Sequence, residues 1–191
     1  MILIDMRLER INMNFFELTA LTALELSGNM ISELPSGVLL LTNLTVLKAP
    51  GNNLMRLVET GNLASLSKLI LLNVKDNCLS EIEESFSSLA HLKELNLRQN
   101  NLKTIIPGIR YCNELIRLNL GQNHLENLCK EVFRIPDLEY FDASHNSLST
   151  LPNSVCFAVN LKEVDLSFNR LQSLPMEFGN LELLRWIIVQ Y

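Results

Sequence analysis

The chain has 191 residues, 48% of them hydrophobic but only 6% aromatic, and carries a formal net charge of -5. That length and apolar content support a sizeable buried core in one domain or at most two, and the shortage of aromatics points to stacked aliphatic layers rather than an aromatic-centred globule. The acidic balance excludes general affinity for nucleic acid, because a phosphate backbone requires concentrated Lys and Arg.

Residues 1–18, MILIDMRLERINMNFFEL, do not read as a signal peptide, since Asp5, Arg7, Glu9 and Arg10 interrupt every apolar run. Nowhere does the chain approach the ~20 apolar residues of a membrane helix, so no membrane insertion is expected. Within this segment Leu8, Ile11, Phe15 and Leu18 match the later connector positions Ile31, Leu34, Val38 and Leu41. Residues 1–20 therefore form a partial, degenerate N-terminal repeat whose asparagine place holds Met6.

From Leu21 onward the chain repeats. Leu21, Leu44, Leu69, Leu92, Leu115, Leu138, Leu161 and Leu184 mark the first place of each copy, spaced by 23 residues except for one interval of 25. The stretch LKELNLRQNNL, residues 92–102, shows the motif: leucine at places one, four, six and eleven, and asparagine at place nine. This is the leucine-rich-repeat signature, one strand per turn of a solenoid. Residues 21–183 make seven complete repeats and residues 184–191 begin an eighth, all in one domain. The fold class is an α/β solenoid: a horseshoe with a concave parallel β-sheet and convex connectors in short helical, 3₁₀ or extended turns. The long interval places two extra residues between Leu54 and Leu69, bulging on the convex side.

Strands are expected over places three to seven, with the fourth and sixth residues inward and the third, fifth and seventh outward. The connectors have their own period. Leu34-Pro35, Leu151-Pro152 and Leu174-Pro175 share one phase, with Pro107 one place late, and proline there forbids a long helix. Val38, Phe86, Ile109, Val132, Val155 and Phe178 form a second apolar column.

The place-nine residues Asn29, Asn52, Asn77, Asn100, Asn123, Asn146 and Asn169 are structural, because an amide offers both donors and an acceptor to backbone groups freed where a strand bends. Cys78, Cys112, Cys129 and Cys156 have no paired spacing of the kind that binds zinc or marks a disulfide module, and read as free thiols in a reducing compartment. His91, His124 and His145 occupy different repeat places and converge on no metal. Ser144 and Ser167 lie near His145 and Asp165, yet an open wall offers no water-excluding pocket for a hydrolase. The column Asn73, Asn96, Asn119, Asp142 and Asp165 at place five reads as solvated polarity, with too few carboxylates for calcium. The sequon at Asn43 reads as unglycosylated, since Leu44 belongs to the core. No cofactor, metal or catalytic residue is expected.

Function then falls to the outward strand places. Lys48, Lys75, Arg98 and Arg117 form a basic diagonal across the middle; Tyr140, Asp142, Glu163, Asp165 and Trp186 form an acidic, aromatic zone toward the C-terminal end, and Glu94 lies between them. Trp, Tyr and Arg are the types that dominate binding hot spots. These ten residues are the candidate partner-binding surface. The C-terminal strand LRWIIVQY, unpaired, is a candidate for self-association, and the chain reads as a fragment, a truncated isoform or one that pairs with another molecule.

With its 23-residue spacing, the connectors LPSG, LPNS and LPMEFGNL and strands such as LKEVDLSFNRL, the chain resembles the intracellular leucine-rich-repeat scaffolds of the Ras suppressor, Scribble and Erbin type over residues 8–191. Leu57-Val58, Ile82-Glu83 and Leu128-Cys129 depart from the Leu-Pro form. The resemblance implies a cytoplasmic, non-enzymatic scaffold in signalling whose concave face holds a protein partner such as a small GTPase or a phosphatase subunit. The alternative is the recognition segment of a larger signalling enzyme or receptor, such as a GTPase, kinase or ubiquitin ligase.

Overall fold

The structure, a computed structural model, describes residues 1–190. Each repeat contributes one short strand: β1 Ala23–Glu25, β2 Val46–Lys48, β3 Leu71–Asn73, β4 Glu94–Asn96, β5 Arg117–Asn119, β6 Tyr140–Asp142, β7 Glu163–Asp165 and β8 Trp186–Ile188. They pair in parallel and in chain order into one open eight-stranded sheet, without a register slip, so that residues at one repeat place stand side by side. The result is the horseshoe solenoid expected from the repeat. Residues 1–5 run beside β1, with the Leu3 N–H donating to the Glu25 carbonyl at 2.8 Å and the Asp5 N–H to that of Ser27 at 3.0 Å.

The core is the two apolar columns. Leu24, Leu47, Leu72, Leu95, Leu118, Phe141 and Val164 at place four are buried, as are their place-six partners from Leu26 to Leu166. On the far side Val38, Phe86, Ile109, Val132 and Val155 close the layer, while Phe178 is only partly buried. They sit in 3₁₀ turns that begin just after Pro35, Pro152 and Pro175 and at Pro107 itself. Proline sets the extended entry and the first helical φ without wasting a donor.

In the N-terminal segment the phase differs from expectation by one residue. Phe16, not Phe15, is buried, and Phe15 is 39% exposed. Phe16 packs toward the next turn at Gly37, where a Cβ would lie 2.7 Å from its ring, so the glycine opens the space the ring occupies. Leu18, also expected inside, is exposed.

The strands are three residues long rather than five, for a physical reason. In a parallel ladder alternate N–H groups turn to alternate neighbours. Those of places six and eight go to the next repeat, as Leu97 to Asn119 at 2.9 Å and Gln99 to Gly121 at 2.8 Å. The place-seven N–H, due to the previous strand, is instead taken by the place-five side chain two residues back: Asn73 accepts from Lys75, Asn96 from Arg98, Asn119 from Gly121, Asp142 from Ser144 and Asp165 from Ser167, at 2.8–3.1 Å. This Asx capture ends the ladder and curls the chain into place eight, where Asp76, Gln99, Gln122, His145 and Phe168 adopt φ of 52–56° and Gly28 and Gly51 the same left-handed region. The place-five column is thus a structural device, not simple solvated polarity. Repeat two follows the same logic in reverse: Lys48 offers no acceptor at place five, and Pro50 presents no donor at place seven.

The asparagine ladder performs the role expected of it. Asn100 Nδ2 donates to the carbonyls of Val74 and Leu97, both at 3.0 Å, and its Oδ1 accepts the Leu79 N–H at 2.9 Å. Asn52, Asn77, Asn123, Asn146 and Asn169 repeat this pattern. Asn29 accepts from both Met6 and Leu8, tying the degenerate N-terminal segment to the first full repeat.

Candidate functional site

The sheet presents places three and five to the inside of the horseshoe, and over β4–β8 this surface deepens into a groove of about 640 Å³. Strand registry determines which side chains meet. At place three Glu94, Arg117, Tyr140, Glu163 and Trp186 stand in sequence; at place five Asn96, Asn119, Asp142, Asp165 and Ile188 do. Seven of the ten candidate residues line the groove: Glu94, Arg117, Tyr140, Asp142, Glu163, Asp165 and Trp186. Lys48 and Lys75 lie outside it on the N-terminal half, and Arg98 reaches its margin only through Asp142.

Three of the four cations of the basic diagonal lie within 4.0 Å of a carboxylate. Lys48 Nζ lies 3.8 Å from Glu25, Arg117 Nε 3.9 Å from Glu94, and Arg98 Nη1 3.1 Å from Asp142. The Arg117 pair is exposed and the Lys48 pair partly buried, both long and of small energetic worth, while the third is half-buried and hydrogen-bonded. Arg117 also lies over the Tyr140 ring, 3.6 Å from its centroid, a cation–π contact. One ion pair, Arg98 with Asp142, therefore joins the basic diagonal to the acidic zone, and Glu163 in that zone has no cation within 4.0 Å among the described residues. Periodicity could not show this, because Arg98 skips a repeat to reach its partner.

Two place-seven residues read as outward are inside. Ser144 is 2% exposed and Ser167 6%, each donating its hydroxyl to the carboxylate two residues back, at 2.7 Å to Asp142 and 2.6 Å to Asp165. His145 stacks on Phe168, ring centroids 4.2 Å apart. These serines, the histidine and the aspartates thus make local turn contacts rather than a nucleophile–base array. Among the described residues no group of three or more His, Cys, Asp or Glu side chains is placed to hold a metal, and no helix is long and apolar enough to cross a membrane. All four cysteines are free thiols; burial pushes Cys112 up to about 11 and raises Cys129 as well.

Asn96, Asn119 and Ile188 also line the groove, though they are not among the ten candidates. All three stand at place five, where Asn96 and Asn119 read only as solvated polarity. At Asn43 the amide is engaged at both ends, donating to the Thr19 carbonyl at 3.1 Å and accepting from Lys68 at 2.7 Å.

An open parallel solenoid, one strand per repeat, with a lined concave groove is the architecture of a repeat protein that presents one broad surface. The family model for leucine-rich repeats matches residues 42–102 and 113–171. The chain belongs to the leucine-rich-repeat family. No curated protein matches it. Among solved structures it is similar to a leucine-rich-repeat protein of Leptospira interrogans, with 25% identity and a TM-score of 0.69 over 96% of this chain and 58% of that one. It is also similar to the ectodomain of the Arabidopsis thaliana membrane receptor kinase GASSHO1/SCHENGEN3, solved in complex with CASPARIAN STRIP INTEGRITY FACTOR 2, with 28% identity and a TM-score of 0.76 over 94% of this chain and 23% of the ectodomain. The chain thus spans 58% and 23% of the lengths of these two proteins.

Proposed function

We propose that this protein is a non-enzymatic interaction scaffold that holds a protein partner against its concave sheet, in intracellular signalling. The observation that carries this reading is the groove over β4–β8, which sets Tyr140 and Trp186 on one wall within reach of Arg117, Glu163 and Asp165. Aromatic and arginine side chains in a shared concavity are the composition of binding hot spots. The solved ectodomain bound to its partner supports protein recognition by this architecture. The unpaired thiols support a reducing, cytoplasmic setting, and the Leu-Pro connectors support kinship with the Ras suppressor, Scribble and Erbin scaffolds. On that kinship the partner is a small GTPase or a phosphatase subunit.

One observation favours a second reading, in which the chain is the recognition segment of a larger signalling enzyme or receptor. It covers only 23% of a receptor-kinase ectodomain with which it shares 28% identity. Affinity capture tests the face itself: partners recovered with wild type are expected to be lost with Arg117→Glu and Trp186→Ala and kept with Arg56→Glu on another part of the surface. Retention of every partner by the groove variants contradicts the proposal.

A further inference from the structure

We infer that the groove takes a cationic segment of a protein partner, with a Lys or Arg side chain lying along Trp186 and its charge on Glu163. This rests on the concave-face reading above and specifies the chemistry of what binds there.

The groove is lined by four carboxylates, those of Glu94, Asp142, Glu163 and Asp165, against one cation, Arg117. Its internal pairs leave the surplus in one place. Arg117 is held by Glu94, and Arg98 from the margin takes Asp142. Glu163 has no cation within 4.0 Å among the described residues, and Asp165 is engaged through Oδ1 by its own Ser167. Unneutralised negative charge in a concavity with a lower-dielectric floor focuses the field on an incoming cation.

The aromatic surface is divided in the same way. The Tyr140 ring already carries the Arg117 guanidinium, whereas Trp186 is 66% exposed and stands in register beside Glu163. Glu94, Arg117 and Tyr140 therefore form a filled version of the arrangement: carboxylate, cation and aromatic face on successive strands at place three. Glu163 and Trp186 supply the carboxylate and the aromatic face without the cation. Trp is the best of the three aromatics for such a contact, and place three faces the groove wherever the solenoid continues.

Trp186 is the sole tryptophan, so its fluorescence reports occupancy at this point directly. Random peptides displayed on phage and selected on the immobilised protein are expected to enrich in Lys and Arg, and the selected peptides, made synthetically, to shift Trp186 emission in a salt-dependent titration. Glu163→Gln is expected to weaken them by about tenfold or more, as for loss of one partner of a desolvated charge pair, and Glu163→Lys to reverse the selection toward acidic peptides. Unchanged circular dichroism melts establish that both variants are folded. A selection that enriches acidic or uncharged peptides, or none, overturns the cationic assignment. If such peptides still move Trp186 emission, the concave-face reading stands alone; peptides that bind with Trp186 silent and Glu163→Lys without effect overturn both.

Discussion

Arg98 crosses over the fifth repeat to meet Asp142 two strands away, Nη1 to Oδ2 at 3.1 Å, and it does so above Gly121. A Cβ at Gly121 would lie 2.8 Å from that guanidinium and 3.0 Å from the carboxylate. The glycine is therefore the floor that lets two side chains 44 positions apart share a bond. Gly121→Ala should displace the Arg98 head group while leaving the backbone in place. In a double-mutant cycle of Arg98→Ala with Asp142→Asn, we expect a coupling of roughly 1 kcal/mol in the wild-type background, falling to near zero with Gly121→Ala. Equal coupling in the two backgrounds, read from urea midpoints, would remove Gly121 from the account.

The asparagine ladder gives a second expectation. Asn100 is 5% exposed and serves four backbone groups, so Asn100→Ala leaves them short of partners and should cost roughly 1 to 3 kcal/mol. A lowered urea midpoint at unchanged m-value is the readout. An unchanged midpoint would mean that water takes over the amide's role. Leu95→Ala, at the buried place four of the same repeat, should cost ~2 to 5 kcal/mol through its cavity.

Repeat two contains a matched pair of absences, a place-five Lys48 without an acceptor and a place-seven Pro50 without a donor. Pro50→Ala alone introduces an N–H with no side chain to take it, and should destabilise by about 1 kcal/mol. Lys48→Asn together with Pro50→Ala restores the pattern of the other repeats and should recover most of that loss. Thermal melts of the two single variants and the double variant decide it: strictly additive effects would show that the pairing of these residue types is coincidental.

Cys112 is buried, and its thiol is held up at about 11 against an ordinary 9.0 by loss of solvent. With the folded value raised, the unfolded chain loses its proton first. This contribution to stability is therefore complete below pH 9 and is lost progressively as pH climbs from about 9 to about 11. Cys112→Ala should flatten that part of the stability–pH curve. In the native protein at pH 8, a thiol reagent should label the exposed Cys78 quickly and leave Cys112 unmodified; rapid native labelling of Cys112 would contradict the burial argument.

How far the sequence alone carries depends on whether a residue acts within its own repeat period. Leu95, Leu97 and Asn100 recur because every layer needs them, so their burial and bonding were legible from spacing. The place-five column was visible but misjudged: its acceptors recur for the same kind of reason as Asn100, and only the backbone geometry shows which N–H each one takes. Phe16 replaced Phe15 because the degenerate first turn packs sideways against Gly37, where the periodic template no longer holds. Arg98 read as a free cation because its partner lies two repeats away and is reached only across a glycine. The face was therefore legible, since it follows from the alternation of the strand, while its charge was not, since ion pairs between repeats follow no period.

Amide hydrogen exchange on a captured complex tests the central claim most directly. Binding on the concave sheet predicts slowed exchange over 117–121, 140–144, 163–167 and 186–188, with the 3₁₀ turns at Pro107–Tyr111, Val132–Arg134 and Asn153–Phe157 unchanged. Protection confined to those turns, with the strands unaffected, would place the partner on the convex side and contradict the account.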